Sequence, residues 1–386
     1  MQGSTFGFLT SNDIRFGRGV AKQAVPDIAA LGSPLLLVHG KNGERCRWLS
    51  AALAGAGVEI CTFAVAREPD IYMISDGVSL ARAAKVKAVV ALGGGAVIDA
   101  GKALAALVPA TRPMMDHLEV VGQGLPLTEA PLPFAAMPTT SGTGAEVTKN
   151  AVLSVPDAKR KVSLRDARML PDLAIVDPSL TDGCPKPVTL ASGLDAVTQV
   201  IEPYLSSKAN WMTDALCRSA IASGMAALVR LMECEDEEAR DQLAYTSLCG
   251  GLTLANSGLG AVHGLAGVLG GVTLAAHGAL CGTLLPHVLT YNERKLQQAE
   301  GYEESLARIN DVRGWLALAL DCTPELAFSR LADWSEAQGL PGLSGLGLQP
   351  NDIATVAEAS VSSSSMKGNP IPLTTVELEA IMKDAL

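Results

Sequence analysis

Asp195 and Gln199 stand four residues apart in "GLDAVTQVIEPYL", so a helix brings both side chains to one face, a turn from each other. A carboxylate followed at that spacing by an imidazole would be a metal-binding pair; here the second position carries an amide. Two of the five histidines, His263 and His277, fall in one glycine-rich segment, "AVHGLAGVLGGVTLAAHG". On one unbroken helix they would stand about 21 Å apart, too far to share an ion. Gly270-Gly271 interrupts the pattern, which predicts a helix ending near 269, a turn, and a second helix starting near 277. Each helix then presents one imidazole to the same place. Asp195, on another helix, can join them at one metal site. Both histidines can equally be core residues satisfied by backbone carbonyls. His287 reads as structural, His39 belongs to the nucleotide-side turn, and His117 falls in an unremarkable helix or loop.

A second chemistry lies earlier in the chain. "VVALGGGAVIDAGK" places Gly93, Gly94, Gly95 and Ala96 between an apolar strand and a helix, where free N–H groups complement a pyrophosphate. "MPTTSGTGAEVT" repeats the arrangement with Thr139, Thr140, Ser141 and Thr143 beside two glycines. Two such loops in neighbouring βα units predict a dinucleotide site, although the spacing is not the G-x-G-x-x-G fingerprint. In "LLLVHGKNGER" the turn residue Gly40 is followed by Lys41 and Arg45 with no acid before Glu44. That leaves room for a 2′-phosphate and favours NADP over NAD.

These residues need elements to position them. "PLLLVHG", "VEICTFAV", "VKAVVALGGG" and "LPFAAMPTT" read as strands, with helices over 44–56, 71–84 and 96–107 between them. The alternation predicts βαβ units around a mostly parallel sheet, with ligands at the strands' carboxyl ends. After Pro178, Pro185 and Pro187 the pattern changes to long helices, over 192–206, 211–232, 237–255 and beyond. The expected organisation is an α/β dinucleotide-binding domain over 1–180 and an all-α domain over 181–386.

Composition bounds the rest. Of 386 residues, 48% are hydrophobic and 18% charged, and the net charge is −10. With a pI near 5.1 there is no basic stripe for phosphates, which excludes nucleic acid as a partner. The apolar stretch 258–285 holds eight glycines and two histidines, which favours a packed interior over a lipid-facing span. The N-terminal "MQGSTFGFLTSNDIRFG" lacks the pattern of a signal peptide, and eight scattered cysteines suit a reducing cytoplasm.

Together with "KVSLRDARMLPDLAIVDPSL", "AAHGALCGTLLPHV" and "NPIPLTTVELEAI", these motifs resemble the iron-containing (group III) alcohol dehydrogenases over the full chain. That family shares the dehydroquinate synthase-like fold. The resemblance implies nicotinamide-dependent interconversion of an alcohol and a carbonyl compound in a cleft between two domains. It implies that Gly94, Gly95, Asp99, Thr139, Thr140, Thr143 and Lys161 lie around the cofactor, and that Asp195, His263 and His277 match three of four metal ligands. Where the family has the fourth, a histidine, this chain has Gln199, a weak oxygen donor or the group that orients a water, and a divalent cation, Fe or Zn, is expected at the site. Many members carry a further histidine, implicated in proton movement, where this chain has Gly267. Both departures fall at the reacting centre, which makes His263, His277 and Gln199 the candidate catalytic residues. A dimer acting on a small neutral alcohol or aldehyde is expected. The alternatives are a metal-free reductase of an activated carbonyl, similar to maleylacetate reductases, in which Gln199 and a protonated histidine replace the Lewis acid, and a non-catalytic nucleotide-binding relative. A synthase-like lyase would need a cationic pocket that the apolar segment 250–286 does not provide.

Overall fold

The computed structural model describes residues 5–158, 160–273 and 275–386. They form two compact units, one of residues 10–140 with 144–181 and one of residues 5–9 and 141–143 with 182–386. A single cut at 180 therefore misassigns two short segments. Residues 5–9 and 141–143 pack with the helical unit, where Leu9 exchanges hydrogen bonds with the Asn256 side chain and the Gly142 N–H donates to Ser247 Oγ at 2.8 Å.

In the α/β unit, β1 (Asp13–Phe16), β2 (Leu35–Gly40), β3 (Ile60–Val65), β4 (Ala88–Gly93), β5 (Phe134–Pro138) and β8 (Leu173–Val176) form one parallel sheet. Its order is β1-β8-β5-β4-β2-β3. β4 and β5 are buried along their whole length, as strands covered on both faces must be. Leaving aside β1, which extends the sheet beyond β8, the order is the doubly wound 2-1-3-4-5 arrangement. Its direction of winding reverses between β2 and β4, so a ligand crevice opens at their carboxyl ends. β6 (Asn150–Val155) and β7 (Arg160–Arg165) make a separate antiparallel pair.

In the helical unit the described residues from 182 onward contain no strand. The Lys186–Leu205 helix is buried on nearly every side from Gly193 to Leu205 and serves as the central rod. The Trp211–Glu233, Glu237–Ser257 and His277–Gln298 helices pack around it. Trp211–Glu233 starts sharply because Asn210 accepts the N–H groups of Met212 and Thr213 while Thr213 Oγ1 accepts from Asn210 N. This helix is long and apolar enough to cross a membrane, but half of its apolar window is buried within the unit. Core packing accounts for its composition.

The helix carrying His263 runs from Ala261 to Thr273 and passes through Gly270-Gly271, where a break near 269 was expected. Each glycine costs only about 1 kcal/mol inside a helix, and burial of Leu265, Ala266 and Leu269 outweighs that. The second helix does begin at His277, and Leu274 in the short connection lies outside the described residues.

Candidate metal centre and cofactor loops

Three helices converge on one cluster. Asp195 projects from the central rod, His263 from the first turn of Ala261–Thr273, and His277 opens its helix. His263 Nε2 lies 3.3 Å and His277 Nε2 3.9 Å from Asp195 Oδ1, and the two rings are 5.3 Å apart between centroids. The fourth member is Cys281, one turn after His277, with Sγ 3.6 Å from His277 Nε2. The ligand atoms of all four lie within 4.8 Å of one another.

Position is enforced by groups behind the cluster. Glu202, two turns after Asp195 on the same face, takes the His263 Nδ1–H on Oε2 at 2.6 Å and the Val262 N–H on Oε1 at 2.7 Å. Asn369 Oδ1, from "NPIPL", takes the Ala261 N–H at 3.1 Å. Two distant side chains thus cap this helix, and a carboxylate sits at its positive end. The bond to Nδ1 holds the ring so that His263 Nε2 faces Asp195. Glu202→Gln is expected to weaken metal binding roughly 10- to 100-fold by removing this orienting charge. Competition with a metallochromic indicator would measure it, and unchanged affinity would show that Glu202 only caps the helix. A second close approach sets the other spacing. At Gly278 a Cβ would lie 2.3 Å from the Ala191 carbonyl oxygen and 3.2 Å from Asp195 Cβ, so glycine lets the two helix backbones touch beside the cluster.

Gln199 is buried, and its amide Nε2 donates to the Thr143 carbonyl at 2.6 Å. An amide nitrogen so engaged ties the 141–143 segment to the central rod.

Charge and burial compete within the cluster. Burial alone would push both imidazoles toward neutrality, but their neighbours Cys281 and Asp195 outweigh it and raise the pKa values of His263 and His277. Burial opposes ionisation of Asp195, yet the neighbouring imidazoles His263 and His277 hold its carboxyl below the usual range. The site therefore favours positive charge. Even so, Asp195 Oδ1 and His263 Nε2 are both buried without a hydrogen-bond partner. Such orphaned atoms are costly, and a cation satisfies both together. One carboxylate, two imidazoles and a thiol are an apt donor set for a divalent transition metal.

The cofactor candidates gather in the α/β unit. Gly40 ends β2, Gly94, Gly95 and Ala96 follow β4, and Thr139 and Thr140 follow β5, all at the carboxyl ends of adjacent strands. The Thr139 N–H donates to the Gly93 carbonyl at 3.0 Å, which joins the two loops. A Cβ on Gly94 would meet Thr140 Oγ1 at 3.2 Å. Asp99 and Lys161 have partners within the protein: the Asp99 carboxylate accepts Val152 N–H at 3.2 Å and lies 3.6 Å from Lys102, and Lys161 pairs with Glu68. Thr143 lies in the helical unit. Sequence reading missed Lys102, a buried amine that donates to the Ala145 carbonyl at 2.9 Å and Thr148 Oγ1 at 2.8 Å and so pins the turn after the threonine loop.

Residues 11–178 match the family model of iron-containing alcohol dehydrogenase, and residues 189–386 match that of the Fe-containing alcohol dehydrogenase family, C-terminal. The chain belongs to the iron-containing alcohol dehydrogenase family. It is 29% identical to the NAD-dependent methanol dehydrogenase of Bacillus methanolicus over 96% of this chain and 97% of that one. It is 30% identical to the lactaldehyde reductase of Escherichia coli (strain K12) over 92% and 93%. A crystal structure of 1,3-propanediol oxidoreductase superposes with a TM-score of 0.88 at 30% identity, covering 99% of this chain and all of the other. Like other iron-containing alcohol dehydrogenases, the chain is an oxidoreductase acting on CH–OH groups, and the family implies NAD(H) and a divalent metal.

Proposed function

We propose that the protein is an NADP-preferring alcohol dehydrogenase and aldehyde reductase for small neutral substrates, working through the altered metal site of Asp195, His263 and His277. The observation that carries this reading is the pair of buried, unpartnered atoms, Asp195 Oδ1 and His263 Nε2, 3.3 Å apart, with His277 Nε2 3.9 Å from the same oxygen. When bound, the cation supplies Lewis-acid polarisation of the substrate oxygen, and the nicotinamide supplies or accepts the hydride. Asp195, His263 and His277 hold the ion, Glu202 holds His263 in register, and Gln199 fixes the backbone of Thr143. With glycine at 267, the proton that completes reduction comes from water. Methanol, lactaldehyde and 1,3-propanediol, named for three of the relatives, support a small substrate, and the scarcity of cations around residues 250–286 agrees with a neutral molecule.

Gly40, Gly94, Gly95, Ala96, Asp99, Thr139, Thr140, Thr143 and Lys161 form the cofactor site in this reading. The NADP preference is supported at the end of β2. Glu44, the acid nearest that turn, pairs with Arg47, while Lys41 and Arg45 are exposed and, among the described residues, form no ion pair. Changing both cations to glutamate is expected to lower the NADPH-to-NADH ratio of kcat/KM by about 100-fold, tenfold for each charge contact of ~1.4 kcal/mol. A ratio that does not move would place the 2′-phosphate elsewhere. A cytoplasmic homodimer completes the proposal. Eight free thiols agree with the compartment, and β1 and β3 leave sheet edges for pairing.

The test is chelation. One ion per chain, with alcohol oxidation lost on its removal and restored on its return, is expected. Full turnover of an activated carbonyl by metal-free protein would overturn the metal reading in favour of a metal-independent reductase.

A further inference from the structure

We propose that Cys281 is a ligand of the metal, supplying as a thiolate the donor that the helix face at Gln199 does not. This rests on the cation reading above. Cys281 follows His277 by four residues on one helix, so both side chains fall on the same face, the spacing that joins Asp195 to Gln199 on the central rod. It is fully buried, and its sulfur belongs to the group whose ligand atoms lie within 4.8 Å of one another. Two other members of that group, Asp195 Oδ1 and His263 Nε2, are buried and unpartnered, so the sulfur stands beside atoms that already call for a cation. Gln199, whose amide nitrogen donates to the Thr143 carbonyl, has only a neutral amide oxygen to offer, a weaker donor than a thiolate. The donor set becomes one carboxylate oxygen, two imidazole nitrogens and one sulfur.

Sulfur changes which ion is preferred. Thiolate is a soft donor that zinc and cobalt accept well and that magnesium and manganese do not. On binding, the cysteine proton is released and the sulfur lone pair forms the metal bond, with no change in oxidation state. The site is thereby tuned toward Zn(II) even though the family is named for iron.

Cobalt reports the bond directly. Protein loaded with Co(II) is expected to show a near-ultraviolet thiolate-to-cobalt charge-transfer band, and C281S is expected to lose it while zinc affinity falls at least roughly 100-fold, more than loss of an orienting group alone. Visible ligand-field bands without the charge-transfer band in the wild-type protein would overturn the role of Cys281 and leave the metal site standing. Failure to bind cobalt or zinc at all would overturn both. Should C281S not fold, X-ray absorption of the zinc-loaded wild-type protein decides the matter: a sulfur shell at about 2.3 Å supports the proposal, and a shell of oxygen and nitrogen alone refutes it.

Discussion

Asp195→Asn is expected to lower metal affinity roughly a thousandfold while leaving NADPH binding unchanged. Asp195 is 2% exposed and is the common neighbour of both imidazoles, at 3.3 and 3.9 Å. Asparagine keeps the shape and removes the charge. Stripping one partner from a buried charged pair costs about 3–5 kcal/mol, and each ~1.4 kcal/mol is tenfold in affinity. The same variant lets the histidine pKa values fall, because Asp195 helps to hold them up against burial. Equilibrium dialysis against zinc would measure the first effect, with NADPH fluorescence as the control. Wild-type zinc affinity in this variant would remove Asp195 from the ligand set.

Gly94→Asp is expected to abolish detectable NAD(P)H binding, a loss of at least roughly 100-fold. The residue precedes the Gly95–Leu107 helix, whose first turn has no side-chain cap and whose positive end attracts phosphate. A carboxylate there takes the place of the anion and repels it. Its Cβ would also press on Thr140 Oγ1 at 3.2 Å, disturbing the second loop. Gly94→Ala separates the two causes, since it keeps the crowding and omits the charge; a loss of about tenfold is expected. Isothermal titration of both variants gives the comparison. Intact binding in Gly94→Asp would mean that the cofactor lies elsewhere.

Much of this architecture was legible because two periodicities and their punctuation are local properties. β2, β4 and β5 announce themselves as apolar runs ending in Gly or Thr loops, β3 as an apolar run alone, and the long helices as runs without turns. Strand β1, four residues long, is too short for any period to show, and β8 was hidden in the proline-marked connector. The β6–β7 pair alternates buried and open positions over "NAVLSV" and "RKVSLR" and could have been read by period two. Gly270-Gly271 misled because tertiary burial decides a helix's length more than propensity does. At the site, the four-residue rule found Asp195 and Gln199; applied to His277 it finds Cys281, and a seven-residue step, two helical turns, from Asp195 finds Glu202. What no local rule contains is Asn369 capping the His263 helix from 108 residues away, or the Thr143 carbonyl claiming the Gln199 amide. Those depend on how the chain returns on itself.

The backbone contact at Gly278 carries a consequence for ion size. Because a carbonyl oxygen and a glycine, not two flexible side chains, set the gap between the Asp195 and His277 helices, that gap cannot widen by rotamer changes. Calcium, which needs oxygen donors at about 2.3–2.6 Å, would have to pry apart two helices to enter, whereas first-row ions with shorter bonds would not. The glycine therefore acts as a gauge: the radius of the ion is set by the main chain, and its chemical identity by the side chains.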